Sequence, residues 1–420
     1  MLPRTLRWAA TVVVAFAAAS AATAPPPEIQ AAQQVPAQTG QTPVFKSTVE
    51  LVRVDVSVID DRGNPVLGLG LDDFQAWLDG RPRRVVSAEL VAFPHDPAGG
   101  SDGPLRTPGM VPEDARVFIV AVDQMGLSAA AILPVREAIR RFLKQLRSQD
   151  MVGLYEFPYR TPRLDLTHDH GIVSRSLDRV LGMRDLNMGS FSLVPSEITD
   201  ITGNDTDTWN KVVSRECPPL AVDPMCPDAV RMEAHGLAGY LEAEASQRMN
   251  DLVRLAQSLG YIQGRKTILL VSGGLIASTR PGGRPDVRSL MQNVGDDIAN
   301  AQANLYVIHL DTAFSEAYSS LVRSSLRPAD RFESLMADRL TLTQGLEQLA
   351  GRAGGALFSV EAGTPEFVLD RVLRETGSYY VLGVEPADDD RDGKSHFIRV
   401  KTTAKDATVR SRVQVTIPKK

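Results

Sequence analysis

From Ala115 onward the apolar residues stop alternating and come in unbroken runs. ARVFIVAVD (115–123), MVGLYEF (151–157), KTILLVSGG (266–274), ANLYVIHLD (303–311) and GGALFSV (354–360) carry almost no polar interruption. A strand reads this way only when both of its faces are covered, which is the condition of a parallel sheet between helices. The stretches between the runs have the other period. Ile132, Val135, Ile139, Phe142, Leu143 and Leu146 recur at three- and four-residue steps, as on one face of a helix. GIVSRSLDRVLG (171–182) has the same character, and a long helical stretch over 230–260 stops at Gly260, a natural C-terminal cap. Strands alternating with helices over 112–376 predict an open, doubly wound, mostly parallel α/β sheet of Rossmann-like kind.

The flanks obey a different rule. In 45–93 the residues Val49, Leu51, Val54, Val56 and Val58 alternate with Glu, Arg, Asp and Ser, the pattern of a half-buried antiparallel strand. An amphipathic stretch around Phe74 and Trp77 leads to Asp79-Gly80, a pair suited to the positive φ values of a tight hairpin. The region 377–418 returns to this style in TGSYYVLGVEP, SHFIRVKTTA and ATVRSRVQVTIP, three strand-like runs. Neither flank has enough strands to close a core by itself. The two are therefore expected to complete one β-sandwich-like domain, with the α/β region inserted between them.

Ahead of these zones, Arg4 and Arg7 precede an apolar run from Trp8 to Ala22 and small-residue triplets, the grammar of a secretory signal peptide over 1–24. Residues 25–44, rich in Pro, Gln and Ala, make a flexible linker. The apolar run is shorter than the ~20 residues a spanning helix requires, so no membrane span is expected after its removal. In an exported chain Cys217 and Cys226, nine apart in ECPPLAVDPMC, are expected to pair. They lie in an excursion of mixed polarity over 184–235. The net charge of −5, from 46 Lys+Arg against 51 Asp+Glu, and the lack of a basic run argue against a nucleic-acid partner.

The chemistry of a doubly wound sheet sits at the carboxyl ends of its strands. Here that means Asp123 with the following Gln124-Met125-Gly126-Leu127-Ser128, and Ser272-Gly273-Gly274. Other motifs have structural readings. Thr167-His168-Asp169-His170 precedes a helical stretch, so a Thr or Asp there caps it rather than holding a metal. Ser272 has no Gly-x-Ser-x-Gly around it to make a nucleophile. Gly351, Gly354 and Gly355 precede a strand instead of following one, the reverse of a phosphate loop.

The order of VELVRVDVSVIDDRGNPVLGLGLDDFQAWLDG, RVFIVAVD, LDLTHD, GRKTILLVSGG, LAGRAGGALFSV and SYYVLGVEP resembles a bacterial, secreted group of von Willebrand factor type A-related proteins, over roughly residues 45 to 415. The resemblance implies a rim that binds a divalent cation through an Asp-x-Ser-x-Ser loop, a Thr from a second loop and an Asp from a third. Asp123 matches the first Asp. Met125 and Leu127 stand at the two Ser positions, and neither side chain coordinates a hard cation. Ser272-Gly273-Gly274 stands where Thr-Asp-Gly belongs, Ser190 is the nearest match to the second-loop Thr, and Ser128 is one residue out of register.

The expectation is a secreted or envelope-associated, non-catalytic, adhesion-type protein-binding module. Its rim comprises Asp123, Ser128, Ser190, Ser272 and Gly273, and its metal site has degenerated, with no cofactor. The alternative is an extracytoplasmic hydrolase with a site in the 184–235 excursion; no acid, base and nucleophile with recognisable spacing marks one there.

Overall fold

A computed structural model describes residues 50–93, 115–158, 166–185, 189–278, 280, 282–312, 328–361 and 365–419. The expected signal segment, the linker and the loop after Phe93 lie outside the described residues.

Five strands form the parallel sheet: β5 (Val117–Asp123), β6 (Met151–Phe157), β7 (Lys266–Ser272), β8 (Ala303–Asp311) and β9 (Ala356–Glu361). Their spatial order is β6-β5-β7-β8-β9, every pairing parallel. The chain winds outward from β5 to β6 and then returns across β5 to β7. The switch in winding therefore falls between β5 and β7, which is where doubly wound sheets open a crevice. All seven residues of β5 and of β7 are buried, as their apolar runs predict.

Helices cover both faces. Helix α1 (Ile132–Gln145) and helix α2 (His170–Ser176) pack on Phe118, Val120, Val122, Leu269 and Val271. Asp169 caps α2, its carboxylate accepting from the Ile172 amide at 3.2 Å, so this Asp acts as the cap expected. On the opposite face α5 (Cys226–Leu259) and α6 (Arg288–Asn300) meet Ile119, Ile268, Leu270, Leu305 and Val307, joined by α7 (Pro328–Arg352). Helix α8 (Glu366–Glu375) returns to the first face and leads out of the sheet.

The excursion is more regular than its mixed polarity suggests. It contains α3 (Pro195–Thr202) and α4 (Thr206–Glu216), packed with the first turns of α5 through Ile201, Val212, Val230 and Ala234. Cys217 and Cys226 are joined in a disulfide between the end of α4 and the start of α5. Closing so short a loop contributes about 2–3 kcal/mol in the chain-entropy description.

The flanks meet as the strand counts require. One antiparallel sheet has the order β12-β1-β10-β4, and the second β13-β11-β2-β3. The first contains β1 (Val52–Ile59), β4 (Val85–Ala92), β10 (Ser378–Val384) and β12 (Thr408–Ser411). The second contains β2 (Phe74–Leu78), β3 (Arg81–Arg83), β11 (Ser395–Thr402) and β13 (Gln414–Thr416). Val54 lies opposite Leu382 and Val56 opposite Tyr380, so the first strand of the fold is paired with one more than 300 residues later. Between the sheets lie Val54, Val56, Leu382, Leu78, Ile398 and Val415. Each such side chain contributes roughly 1.5–3 kcal/mol when fully buried.

Two local readings change. The stretch around Phe74 and Trp77 is a strand, ended by the hairpin in which Asp79 and Gly80 have φ of 48° and 78°. The run ATVRSRVQVTIP is two strands that belong to different sheets, because the chain crosses the sandwich at Arg412 and Val413. The sandwich is fastened near the amino ends of the parallel strands. Arg265 donates to Ser57 Oγ at 2.8 Å, and Arg410 donates to the Gly355 carbonyl at 3.1 Å. The carboxyl ends of the parallel strands therefore lie at the far end from these fastenings.

Candidate functional site: a strand-end rim closed by an arginine

Asp123 ends β5, one strand from Ser272 at the end of β7. The residue is 3% exposed, and each of its side-chain oxygens has a protein donor. Oδ1 accepts from the Gly126 amide at 3.0 Å. Oδ2 accepts from Ser272 Oγ at 2.6 Å and from Arg248 Nη1 at 3.2 Å. The Gly274 amide in turn donates to Ser272 Oγ at 3.1 Å, tying the second loop to the first.

Close backbone approach explains two of the glycines. A Cβ on Gly126 would lie 2.3 Å from Asp123 Oδ2, and one on Gly273 would lie 2.1 Å from the Gly126 carbonyl oxygen. Only glycine fits either position, and the two loops touch backbone to backbone as a result.

Arg248 comes from the middle of α5 and is buried. Besides Asp123, its Nη1 donates to the Gly274 carbonyl at 2.9 Å, and its Nη2 is paired with Glu244 one turn earlier. A guanidinium therefore stands where carboxylate and carbonyl oxygens from two strand-end loops converge. Those are the ligands a hard divalent cation would use. The positive charge at this point is covalently part of the chain. Among the described residues no cluster of three or more His, Cys, Asp or Glu side chains has the geometry to hold a metal ion.

The other rim residues divide. Leu127 is buried in the core on the α1 face, and Met125 is half-buried beside it. Ser128 is buried at the entry to α1, where its carbonyl accepts from the Ala131 amide at 3.1 Å. Ser190 is not part of the rim. Its amide donates to Glu233 on α5 at 2.8 Å, fifteen residues and hence about 22 Å along the helix from Arg248. The second-loop position is filled instead by the strap 181–184. Leu181 and Met183 donate their amides to Gln124 at 2.7 and 2.8 Å, and Arg184 donates to the Leu127 carbonyl at 3.0 Å. This strap leaves Leu181 and Met183 58% and 57% exposed, an apolar lip beside Met125.

Sequence reasoning missed Arg248, although one sign of it was present. Leu241, Ala245, Leu252, Leu255 and Leu259 form a stripe at helical spacing, and Arg248 interrupts that stripe with a charge. A cation on the buried face of a helix requires an anion opposite.

The motifs given structural readings keep to them. Gly354, at φ of 68°, and Gly355 stand between the end of α7 and the start of β9. In the excursion Glu197 is paired with Arg215, and Asp200 and Asp205 are both paired with Arg280.

No family model matches the chain, and no curated protein matches it. Among solved structures it is similar to the SpRpn10 VWA domain, with 10% identity over 61% of this chain and 93% of that chain, at a TM-score of 0.26. A likeness that loose carries no argument. The α/β fold rests on the strand order itself.

Proposed function

We propose that this chain is a non-catalytic, extracytoplasmic protein-binding module whose strand-end rim works without a metal ion. The observation that carries the reading is the Arg248 guanidinium on Asp123, backed by Glu244 and the Gly274 carbonyl. A cation-dependent adhesion rim needs an open coordination position for the partner's carboxylate. Here the positive charge is internal and already paired with Asp123 and Glu244. What the rim offers outward is the lip of Leu181, Met183 and Met125, and apolar side chains of this kind anchor protein interfaces.

Export is supported by the basic-then-apolar amino-terminal sequence and by the disulfide, a bond that persists in oxidising compartments. No described helix is long and apolar enough to cross a membrane. In the excursion, where the hydrolase alternative would place its site, Glu197 is paired with Arg215, and Asp200 and Asp205 are paired with Arg280.

The test is capture of partners from an envelope extract by the full chain, with and without chelator, followed by Leu181→Asp and Met183→Asp. The reading expects capture indifferent to chelator and lost in both variants while thermal stability is kept. Capture abolished by chelator would contradict it.

A further inference from the structure

The outer strands of the sandwich are not alike. Strand β12 has 4 residues, β13 has 3, and β3 has 3 with Pro82 at its centre. Short or proline-bearing edges are poor templates for a further strand. Strand β4 is also an outer strand, yet it runs for 8 residues, Val85–Ala92, without proline or lysine and with Glu89 as its one charge. Its bulge against β10 lies at the start, and the pairing from Ser87 to Ala92 is regular. An edge this long and this lightly charged is one that proteins ordinarily cover.

The direction of its main-chain groups can be read from its end. The Phe93 amide donates to the Gly377 carbonyl at 2.8 Å. Antiparallel residues alternate between bonded and open pairs. With Val91 opposite Tyr379 and Glu89 opposite Val381, it follows that Val91, Glu89 and Ser87 turn their amides and carbonyls toward β10. Ala88, Leu90 and Ala92 turn theirs away, and among the described residues no group donates to them or accepts from them. The surface beside these groups is apolar. Leu90 is 40% exposed, and Leu71, on the 3-10 turn Leu71–Asp73 that packs beside β4, is 42% exposed.

We propose that β4 is a dimer interface. A second copy of this chain adds its own β4 antiparallel across a two-fold axis, and the two four-stranded sheets become one continuous sheet. Hydrogen-bond phase and charge together fix the register. Centred on Leu90, the pairing sets Leu90 opposite Leu90 of the second copy and Ala88 opposite its Ala92. All three outward-turned residues then find partners, through about six main-chain hydrogen bonds. Glu89 falls opposite Val91. Centring on Glu89 would bring two carboxylates face to face. Centring on Ala88 would set Ala92 opposite Arg84, whose carbonyl already accepts from the Glu385 amide at 2.9 Å. The strand is thus complementary to itself in one register, which is what selects a second copy over a foreign strand. This edge shares no residue with the rim and stands independently of the rim reading.

The experiment is sedimentation velocity of the full chain from about 5 µM to about 500 µM, since an edge contact alone is a small interface. A reversible monomer–dimer equilibrium is expected. Ala92→Pro removes an outward amide at an edge position that tolerates proline, and it should weaken the dimer at least about tenfold. Should that variant fail to fold, cross-linking gives the same answer. Residues opposite each other in a bonded antiparallel pair have Cα atoms about 5.5 Å apart, within disulfide reach. Leu90→Cys should therefore yield a disulfide-linked dimer under mild oxidation, while Thr408→Cys on the β12 edge should not. A chain that stays monomeric throughout, a dimer unmoved by Ala92→Pro, or cross-linking through Leu90→Cys no faster than through Thr408→Cys would each overturn the proposal.

Discussion

Asp123 and Arg248 are 125 positions apart in the chain and 3.2 Å apart in space. The contact joins the end of the first parallel strand to the middle of the longest helix, and it fixes the charge state of the rim. Asp123 receives an amide on Oδ1 and a hydroxyl and a guanidinium on Oδ2, so a metal ion would have to displace a donor that the protein already supplies. The loops after β5 and β7 are held around this point, and the lip of Leu181 and Met183 is built on the first of them.

Removing the cation should be costly. Arg248→Ala leaves Asp123 and Glu244 facing each other's charge in a buried site, and breaking a buried pair from one side costs about 3–5 kcal/mol. The triple change Asp123→Asn, Glu244→Gln and Arg248→Met removes all three charges and should recover most of that loss. Urea unfolding of the two variants measures the difference. A single variant as stable as the parent would mean that the pair does not hold the rim.

How much of this was legible beforehand depends on where each signal is stored. The parallel strands were legible because burial on both faces forces an unbroken apolar run, as in Val117 to Asp123. The shared sandwich was legible because Val54 and Leu382 each belong to a flank too short to close alone. The disulfide followed from two cysteines nine apart. Arg248 was not legible as a partner of Asp123, since a helix sequence shows that a charge is buried but not which strand end it meets. The assignment of Ser190 to the rim failed for a related reason. It takes the first part of the excursion to reach the strand ends, whereas Glu233 holds Ser190 elsewhere and the 181–184 strap at the entrance to the excursion reaches them instead.

The sandwich should carry a titration signature. His396 on β11 lies between Asp79 (2.8 Å from Nδ1) and Asp392 (3.1 Å from Nε2). Burial opposes its charge, but the two carboxylates outweigh it and raise the His396 pKa above the ordinary histidine value. Asp390, the other acid nearby, is held ionised mainly by Arg83. A raised folded-state pKa means that the stabilisation is complete below about pH 6.5 and is lost as pH climbs through the folded value. The depressed Asp79 and Asp392 lose their contribution only in acid, outside that window. The melting temperature should therefore fall from pH 6 to pH 8.5, and His396→Gln should flatten that slope. An unchanged slope in the variant would assign the effect to other groups.

A second titration belongs to the contact between the excursion and α7. Asp338 accepts from the Ser196 amide at 2.8 Å, and burial pushes its pKa up to about 6. The folded chain thus binds a proton that the unfolded chain releases near pH 4, and stability declines as pH rises through that interval. Asp338→Asn keeps the acceptor for Ser196 without the charge. It should raise stability at pH 7.5 by about 2–3 kcal/mol and far less at pH 4. Denaturant midpoints at the two pH values check this, and equal shifts at both would contradict it.

The central claim is that the rim carries its own cation. Isothermal titration of the chain with Mg²⁺, Mn²⁺ and Ca²⁺, on the parent and on Asp123→Ala, tests it directly. The account predicts no one-to-one binding tighter than about 1 mM for any of the three ions, in either protein. A one-to-one site of micromolar affinity that disappears in Asp123→Ala would contradict it, and would return the rim to a cation-dependent mechanism.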